Sequence, residues 1–413
     1  MSDPTATLGD MSMALGSTTS SGASFELENP PWRDAHVTVD GWEVEVRKGA
    51  KLVVARGGAE QDYEAAYRTG LMRAQQGLDL LSARGLGDLA IKGFDDEHVV
   101  WWVEPELVVR VVSLATLSIR IGPVELKVTD ADGIDVPPTP APQPVWHESF
   151  RYFRLSQTSD DLFDAYRNAY LALESILSDI CPQTLKANGR PDEGEGQWFG
   201  RALTAADAVA PLADFVPAGT ADPHTHLFNE LFRDMRSAMS HAKSGRKVLL
   251  PRSEAERAQV TASLQRLVSL YLKLADNHLG MRRLGGGMTA VAFQSGNERM
   301  LQDMSVYASD EESAHDPAEV ALNPSGGRLV ELQAAGPVIS DEPFLCTRLF
   351  TAPTQHLTGL PFIRLVGATD SQGQALLTAT LEGRLHLGPA GRFEALLGVR
   401  GVNAGQPRRR YSF

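Results

Sequence analysis

The sequence predicts an α+β protein of several domains, with a helical domain in the middle and a β-rich segment on either side. Three observations carry that expectation. Apolar residues alternate at a period of two near both ends of the chain and recur at helical spacing between them. Five prolines fall within Pro137–Pro144, which favours an extended spacer. Gly285-Gly286-Gly287 marks a second joint. A chain of 413 residues, 43% of them hydrophobic, has the length for two or three domains and the apolar content for packed cores.

Taken in order, residues 1–30 are rich in Ser, Thr and Gly and read as a disordered tail. Residues 31–135 form the first domain. In it Trp42, Val44 and Val46 alternate with Glu43, Glu45 and Arg47, and Lys51–Val54 follows a turn, as in a hairpin with one buried face. Tyr63, Tyr67, Leu71, Ala74, Leu78 and Leu81 then share one helical stripe that Gly85 stops. Strands are expected at His98–Val103, at Leu107–Ser113 and through Ile119, Ile121 and Leu126.

Residues 136–147 are the proline-rich linker, and residues 148–282 the helical domain. Its first helix starts at Thr158 or Ser159 and ends at Cys181-Pro182, and a second runs from about Glu195 to Ala206. Asp222-Pro223 gives an N-cap with proline at the first helical position, opening a third helix that stops before Gly245. Ser253 and Glu256 form a capping-box pattern for a fourth, reaching Leu279. Four amphipathic helices predict a compact four-helix bundle. Residues 283–413 begin with a polar, mobile stretch around Asp310-Glu311-Glu312. They continue as an antiparallel meander in which Leu377, Ala379, Leu381, Leu385 and Leu387 face inward. Arg408-Arg409-Arg410 reads as a solvated tail.

A net charge of −13 disfavours nonspecific binding to nucleic acid or anionic lipid, because affinity for phosphate comes from cations. Two cysteines make neither a disulfide framework nor a thiolate metal site. No apolar run reaches membrane-spanning length, and the N-terminal residues lack a leader pattern, so a cytoplasmic protein is expected. No phosphate loop, nucleophile elbow or His-Glu-x-x-His sequence occurs. Gly85-Leu86-Gly87 reads as a turn, and His224-Thr225-His226 as a surface pair ahead of a helix rather than a metal site.

The third helix stands apart. Phe228, Leu231, Phe232, Met235, Ala238 and Met239 make its apolar stripe, while Arg236 and His241 lie roughly 140° apart around a regular helix. Two such helices meeting across a dimer would bring an Arg and a His from each into one cleft. Between Arg233 and Arg257 the bases also include Lys243, Arg246, Lys247 and Arg252, against only Asp234, Glu254 and Glu256. This local cationic patch suggests an anion site, with phosphate the obvious ligand. His241 falls in the last helical turn, where the dipole favours imidazolium. The plain alternative is that Arg236 pairs with Glu230 or Asp234 and His241 serves only the helix terminus.

An Arg, four residues and a His in a small helical bundle resembles the HEPN superfamily, many of whose members are metal-independent ribonucleases of toxin and antiphage systems. Tyr166–Glu174, Trp198, Met235-Arg236, Ser240–Lys243 and Leu249-Leu250-Pro251 are also similar to bacterial proteins known as MauJ-like. The resemblance covers about residues 150–280. It implies a homodimeric endoribonuclease that needs no cofactor or metal, with Arg236 and His241 catalytic and Ser237, Glu174, Arg233 and Lys243 in support. Ser237 stands where the family often has Asn, which leaves open a bundle that only binds or dimerises. Glu174 would orient the Arg or His, or simply pair with an Arg such as Arg201. The flanking domains would then sense a trigger or a protein partner. A scaffold, or an accessory protein of a metabolic operon, is the competing expectation.

Overall fold

The computed structural model describes residues 6–15, 18–87, 89–119, 128–129, 132, 134–136, 145–240, 248–250, 254–281, 288–313, 320–389, 391–403 and 407. The chain divides into two compact units. One comprises Met1–Ile119 with Met288–Val402, the other Arg120–Gly287 with Asn403–Phe413.

The first unit is built on one sheet of 14 strands. Their spatial order is Met11–Ser12, Ala6–Leu8, Ala375–Leu387, Ile363–Thr369, Ser305–Ser309, Leu329–Ala334, Leu345–Pro353, Arg392–Asn403, Leu107–Ile119, Glu97–Val103, Ser21–Glu26, Leu52–Gly58, Trp42–Val46 and Ala35–Val39. N-terminal and C-terminal strands meet twice, where Ala6–Leu8 pairs with Ala375–Leu387 and where Leu107–Ile119 lies beside Arg392–Asn403. At the second of these Gly391 abuts the Leu107 carbonyl, Arg110 pairs with Glu394 and Gly398 abuts Leu114. Positions advance in step along both strands, so this junction is parallel. The other junctions are antiparallel. Asp40 and Gly41, both at positive φ (45° and 83°), make the tight turn between Ala35–Val39 and Trp42–Val46, as a two-residue hairpin requires.

Helix α1 (Tyr63–Leu81) lies on one face of the N-terminal strands, with Asp62 as its N-cap and the expected stripe buried from Tyr67 to Leu81, Tyr63 being half-buried. The opposite face, with Trp101, Val109, Phe350, Phe393 and Val399, forms the main core of the unit. A helix the sequence pattern does not announce, Ala290–Asp303, adds Phe293 and Leu301 to that core. Arg348 Nη1 closes the C-terminus of this helix, donating to the carbonyls of Leu301 at 2.8 Å and Gln302 at 2.9 Å. In Ala375–Leu387 the alternation holds, with Ala379, Leu381 and Leu385 buried.

The second unit is helical: α2 (Ser149–Thr158), α3 (Leu162–Ile180), α4 (Glu195–Asp207), α5 (Pro223–Leu227), a π-helical stretch Phe228–Arg236, α6 (Ser237–Ser240) and α7 (Glu254–Leu279). The Ala290–Asp303 helix of the first unit is α8. Asp222 caps α5, accepting from the Thr225 amide at 3.0 Å. Asp161, rather than Thr158 or Ser159, caps α3, because those two hydroxyls close α2 by donating to the carbonyls of Arg154 and Leu155. The core joins Tyr166, Leu173 and Leu177 of α3 to Leu267, Tyr271 and Leu274 of α7, all buried.

Three expectations change. The chain is α+β, but it is not a central four-helix bundle between an N-terminal α+β domain and a C-terminal β-rich one. Strands from both ends form a single sheet, and the helical unit comprises, among the described residues, five longer helical rods, one of them α5 continued through the π stretch into α6, and a short 3-10 turn at Leu212–Phe215. Second, residues 1–30 are not a disordered tail over their described part. Ala6–Leu8 pairs with Ala375–Leu387, and Ser21–Glu26 is an inner strand with Phe25 fully buried. The small residues there serve close packing, since Gly22 sits against the Trp101 ring and the Ala55 carbonyl with no room for a Cβ. Third, the acidic run is tied down. The buried Glu311 carboxylate accepts from the amides of Ser313, Ser325 and Gly327 at 3.1, 3.1 and 3.2 Å. The proline run Pro137–Pro144, the glycine triplet 285–287, Ser253 and the Arg408–Arg410 tail lie outside the described residues.

Candidate functional site

Between α3 and the rod that continues α5 is a cleft of about 280 Å³, lined in part by Phe163, Tyr170, Leu171, Glu174, Arg236 and Met239. Its geometry follows from the π stretch. In a regular helix a four-residue step turns a side chain by about 40°. In the wider i→i+5 winding of a π-helix each residue turns less, so residues four apart again stay on one side of the rod. Phe228 and Phe232 accordingly stack at 5.5 Å between ring centres with 18° between planes, and the Arg236 guanidinium lies 5.1 Å from the Phe232 ring centre. Arg236 is also 5.8 Å from the centre of the Tyr170 ring on α3.

Two glycines set where this column docks. A Cβ on Gly196 of α4 would lie 3.1 Å from Phe232, and one on Gly200 would lie 3.7 Å from Phe228. His224 fixes the same junction, its Nε2 meeting the Gly200 carbonyl at 2.8 Å. The register brings Glu195, the first residue of α4, to Arg236, with Nη2 donating to Oε2 at 2.7 Å. Arg236 is 31% exposed and Glu195 64% exposed.

Glu174 stands on the cleft wall, unpaired with Arg201. Arg201 instead binds Glu193 and the Pro182 carbonyl. Burial pushes the Glu174 carboxyl above the ordinary carboxylate range, the Arg236 charge pulls it back, and Glu195 adds to the rise. The Tyr170 hydroxyl is buried with no hydrogen-bond partner among the described residues. Burial first, then the Glu174 charge, drive its pKa far above that of a free phenol.

The structure therefore brings together two of the expected site residues, Arg236 and Glu174. Ser237 is close in sequence but turned away, its hydroxyl donating back to the Phe232 carbonyl at 3.2 Å. Arg233 is exposed, 3.3 Å from the Asn229 side-chain oxygen and stacked on Phe228 at 5.1 Å. His241 and Lys243 lie outside the described residues. Glu230, one proposed partner of Arg236, instead takes Arg266 at 2.7 Å and His226 at 3.3 Å. Sequence reasoning missed Glu195, which is 41 residues away. The signal was present as Gly196-x-x-x-Gly200 matched to Phe228-x-x-x-Phe232, a small-residue groove facing an aromatic ridge.

Among the described residues no cluster of three or more His, Cys, Asp or Glu side chains is arranged to hold a metal ion. None of the helices in these residues is long and apolar enough to cross a membrane. No protein-family model, no curated protein and no solved structure matches the chain.

Proposed function

We propose that the helical unit is a metal-independent endoribonuclease of HEPN type, working as a cytoplasmic homodimer, with Arg236 and His241 as its catalytic residues. The observation that carries this reading is that Arg236 opens onto a cleft of about 280 Å³, close to the lower end of ligand pockets. Arg236 would stabilise the charge that builds on the phosphoryl oxygens. His241 would take the proton of the ribose 2′-hydroxyl as that oxygen bonds to phosphorus. The bond from phosphorus to the 5′-oxygen then breaks, and the partner subunit's His241 supplies the proton to the leaving oxygen. The products carry a 2′,3′-cyclic phosphate and a 5′-hydroxyl. Glu174, which lines the same cleft, would orient the guanidinium through its charge, and Lys243 and Arg233 would add positive charge along the RNA path.

A second reading is a non-catalytic module that binds RNA or a nucleotide, or that only dimerises. It is favoured by the Ser237 hydroxyl being turned back to the Phe232 carbonyl at 3.2 Å rather than toward the cleft. Incubation of the purified chain with end-labelled RNA in EDTA separates the two. Cleavage to cyclic-phosphate ends, lost in Arg236→Gln and His241→Ala proteins that keep the wild-type circular dichroism, supports the nuclease. Intact RNA with wild-type protein that binds it supports the second reading.

A further inference from the structure

We propose that Glu195 is an internal anion that occupies the phosphate-binding edge of Arg236, so that the site must exchange Glu195 for a backbone phosphate of single-stranded RNA. The inference rests on the reading of the cleft given above. The rings of Phe232 and Tyr170 lie 5.1 and 5.8 Å from the Arg236 guanidinium, so a ligand has to approach where those two rings leave it open. Glu195 already holds one nitrogen, Nη2, at 2.7 Å. The contact is not an accident of two long surface side chains. The close approach of Gly196 to Phe232 fixes the start of α4 against the Arg236 column.

Three features make Glu195 replaceable. It is the more exposed member of the pair, at 64% against 31% for Arg236, and exposed ion pairs contribute little. As the first residue of α4 it has the helix N-terminus to favour its charge once it lets go. A phosphate that takes its place brings the same negative charge to the same edge and can be bidentate. Two carboxylates, Glu174 and Glu195, share the field of Arg236. With Glu195 seated, an incoming phosphate therefore meets both a filled edge and repulsion. Affinity for RNA is thereby lowered, and bases that can lie against the half-buried Phe163 on the cleft wall gain relative weight in selection.

The test uses the full chain and a fluorescein-labelled 2′-O-methyl oligoribonucleotide, which cannot be cleaved through the 2′-oxygen, with binding read by anisotropy. Glu195→Gln should tighten binding by about two- to fivefold, the scale of one exposed ion pair. Asp192→Asn removes an equally exposed carboxylate nearby, partnered with Lys186 at 3.7 Å, and should leave affinity unchanged. In an Arg236→Gln background, which keeps most of the side-chain stem, Glu195→Gln should have no effect. Equal affinity for wild type and Glu195→Gln overturns the exchange while leaving the cleft reading intact, provided Arg236→Gln weakens binding. Equal tightening by Asp192→Asn, or tightening that persists without Arg236, overturns it as a general charge effect. Failure of both wild type and Glu195→Gln to bind sinks the cleft reading together with the exchange.

Discussion

Arg110 Nη2 lies 2.6 Å from Glu394 Oε2, although 284 residues separate them in sequence. The pair crosses the parallel junction that joins strands from the two ends of the chain. Glu394 is only 5% exposed and Arg110 16%, and Arg110 also stacks on Tyr63 at 4.5 Å and Trp102 at 5.1 Å. Removing one member of a buried pair leaves the other charge without its counter-charge, at a cost of roughly 3–5 kcal/mol. Glu394→Ala is therefore expected to lower the stability of the sheet unit by about 3 kcal/mol, at the low end of that range. Urea unfolding followed by tryptophan fluorescence measures it, and an unchanged midpoint would show that the junction does not depend on the pair.

Gly77 of α1 faces the side chain of Val44, and a Cβ there would lie 2.5 Å from Val44 Cβ. Alanine is the better helix former by about 1 kcal/mol. The overlap is with a β-branched side chain buried in the sheet, which has no rotamer to escape into. Gly77→Ala should therefore destabilise by about 1–3 kcal/mol despite the propensity gain. A rise in Tm would mean that α1 can lift from the sheet at little cost.

His98 is buried against Tyr67, whose ring centre is 4.7 Å away, and its Nε2 is 2.9 Å from the Tyr63 hydroxyl. Burial, opposed by the Phe94 backbone and Asp95 and aided by the Arg110 charge, lowers its pKa to about 4 from 6.5. The unfolded chain then binds a proton that the folded one refuses, so stability is full above the unfolded value and falls as pH drops from about 6.5 toward 4. Between pH 7 and pH 5 the loss should be about 2 kcal/mol. His98→Gln should show a correspondingly shallower pH dependence in the same unfolding measurement. Equal slopes would mean that the imidazole is accommodated as a cation.

Local features were legible and long-range ones were not. The stripe of α1, the Asp222-Pro223 start of α5 and the alternation of Leu377, Ala379 and Leu381 each depend on residues a few positions apart, and each was readable in order. The partnership of Leu107–Ile119 with Arg392–Asn403 depends on a contact across most of the chain, which no periodicity records. Glycine and serine near Ser21 carry the composition of a flexible tail, yet they serve a strand that must pass under the Trp101 ring. At the site, Arg236 stands out in sequence as a charge beside an apolar helical stripe, whereas Glu174 enters only through the resemblance to HEPN bundles. Glu195 was missed because its approach depends on a π-helical winding and on the docking of Gly196 against Phe232, both tertiary outcomes.

Tyr170 offers a way to separate stability from function in the cleft. Its hydroxyl is buried and has no partner among the described residues, so its desolvation is uncompensated there. Tyr170→Phe removes the unsatisfied group and keeps the ring that packs on Phe199 at 5.7 Å and beneath Arg236. The variant should be as stable as wild type or more so, by up to about 1 kcal/mol. If a phosphate oxygen of RNA is what the hydroxyl meets, the same change should slow cleavage about tenfold, the worth of one hydrogen bond to a charged group. Melting temperature and cleavage rate of one preparation supply both readings. Unchanged cleavage with unchanged stability would place the RNA backbone away from Tyr170, and a lower melting temperature would mean that the hydroxyl finds a partner within the folded chain.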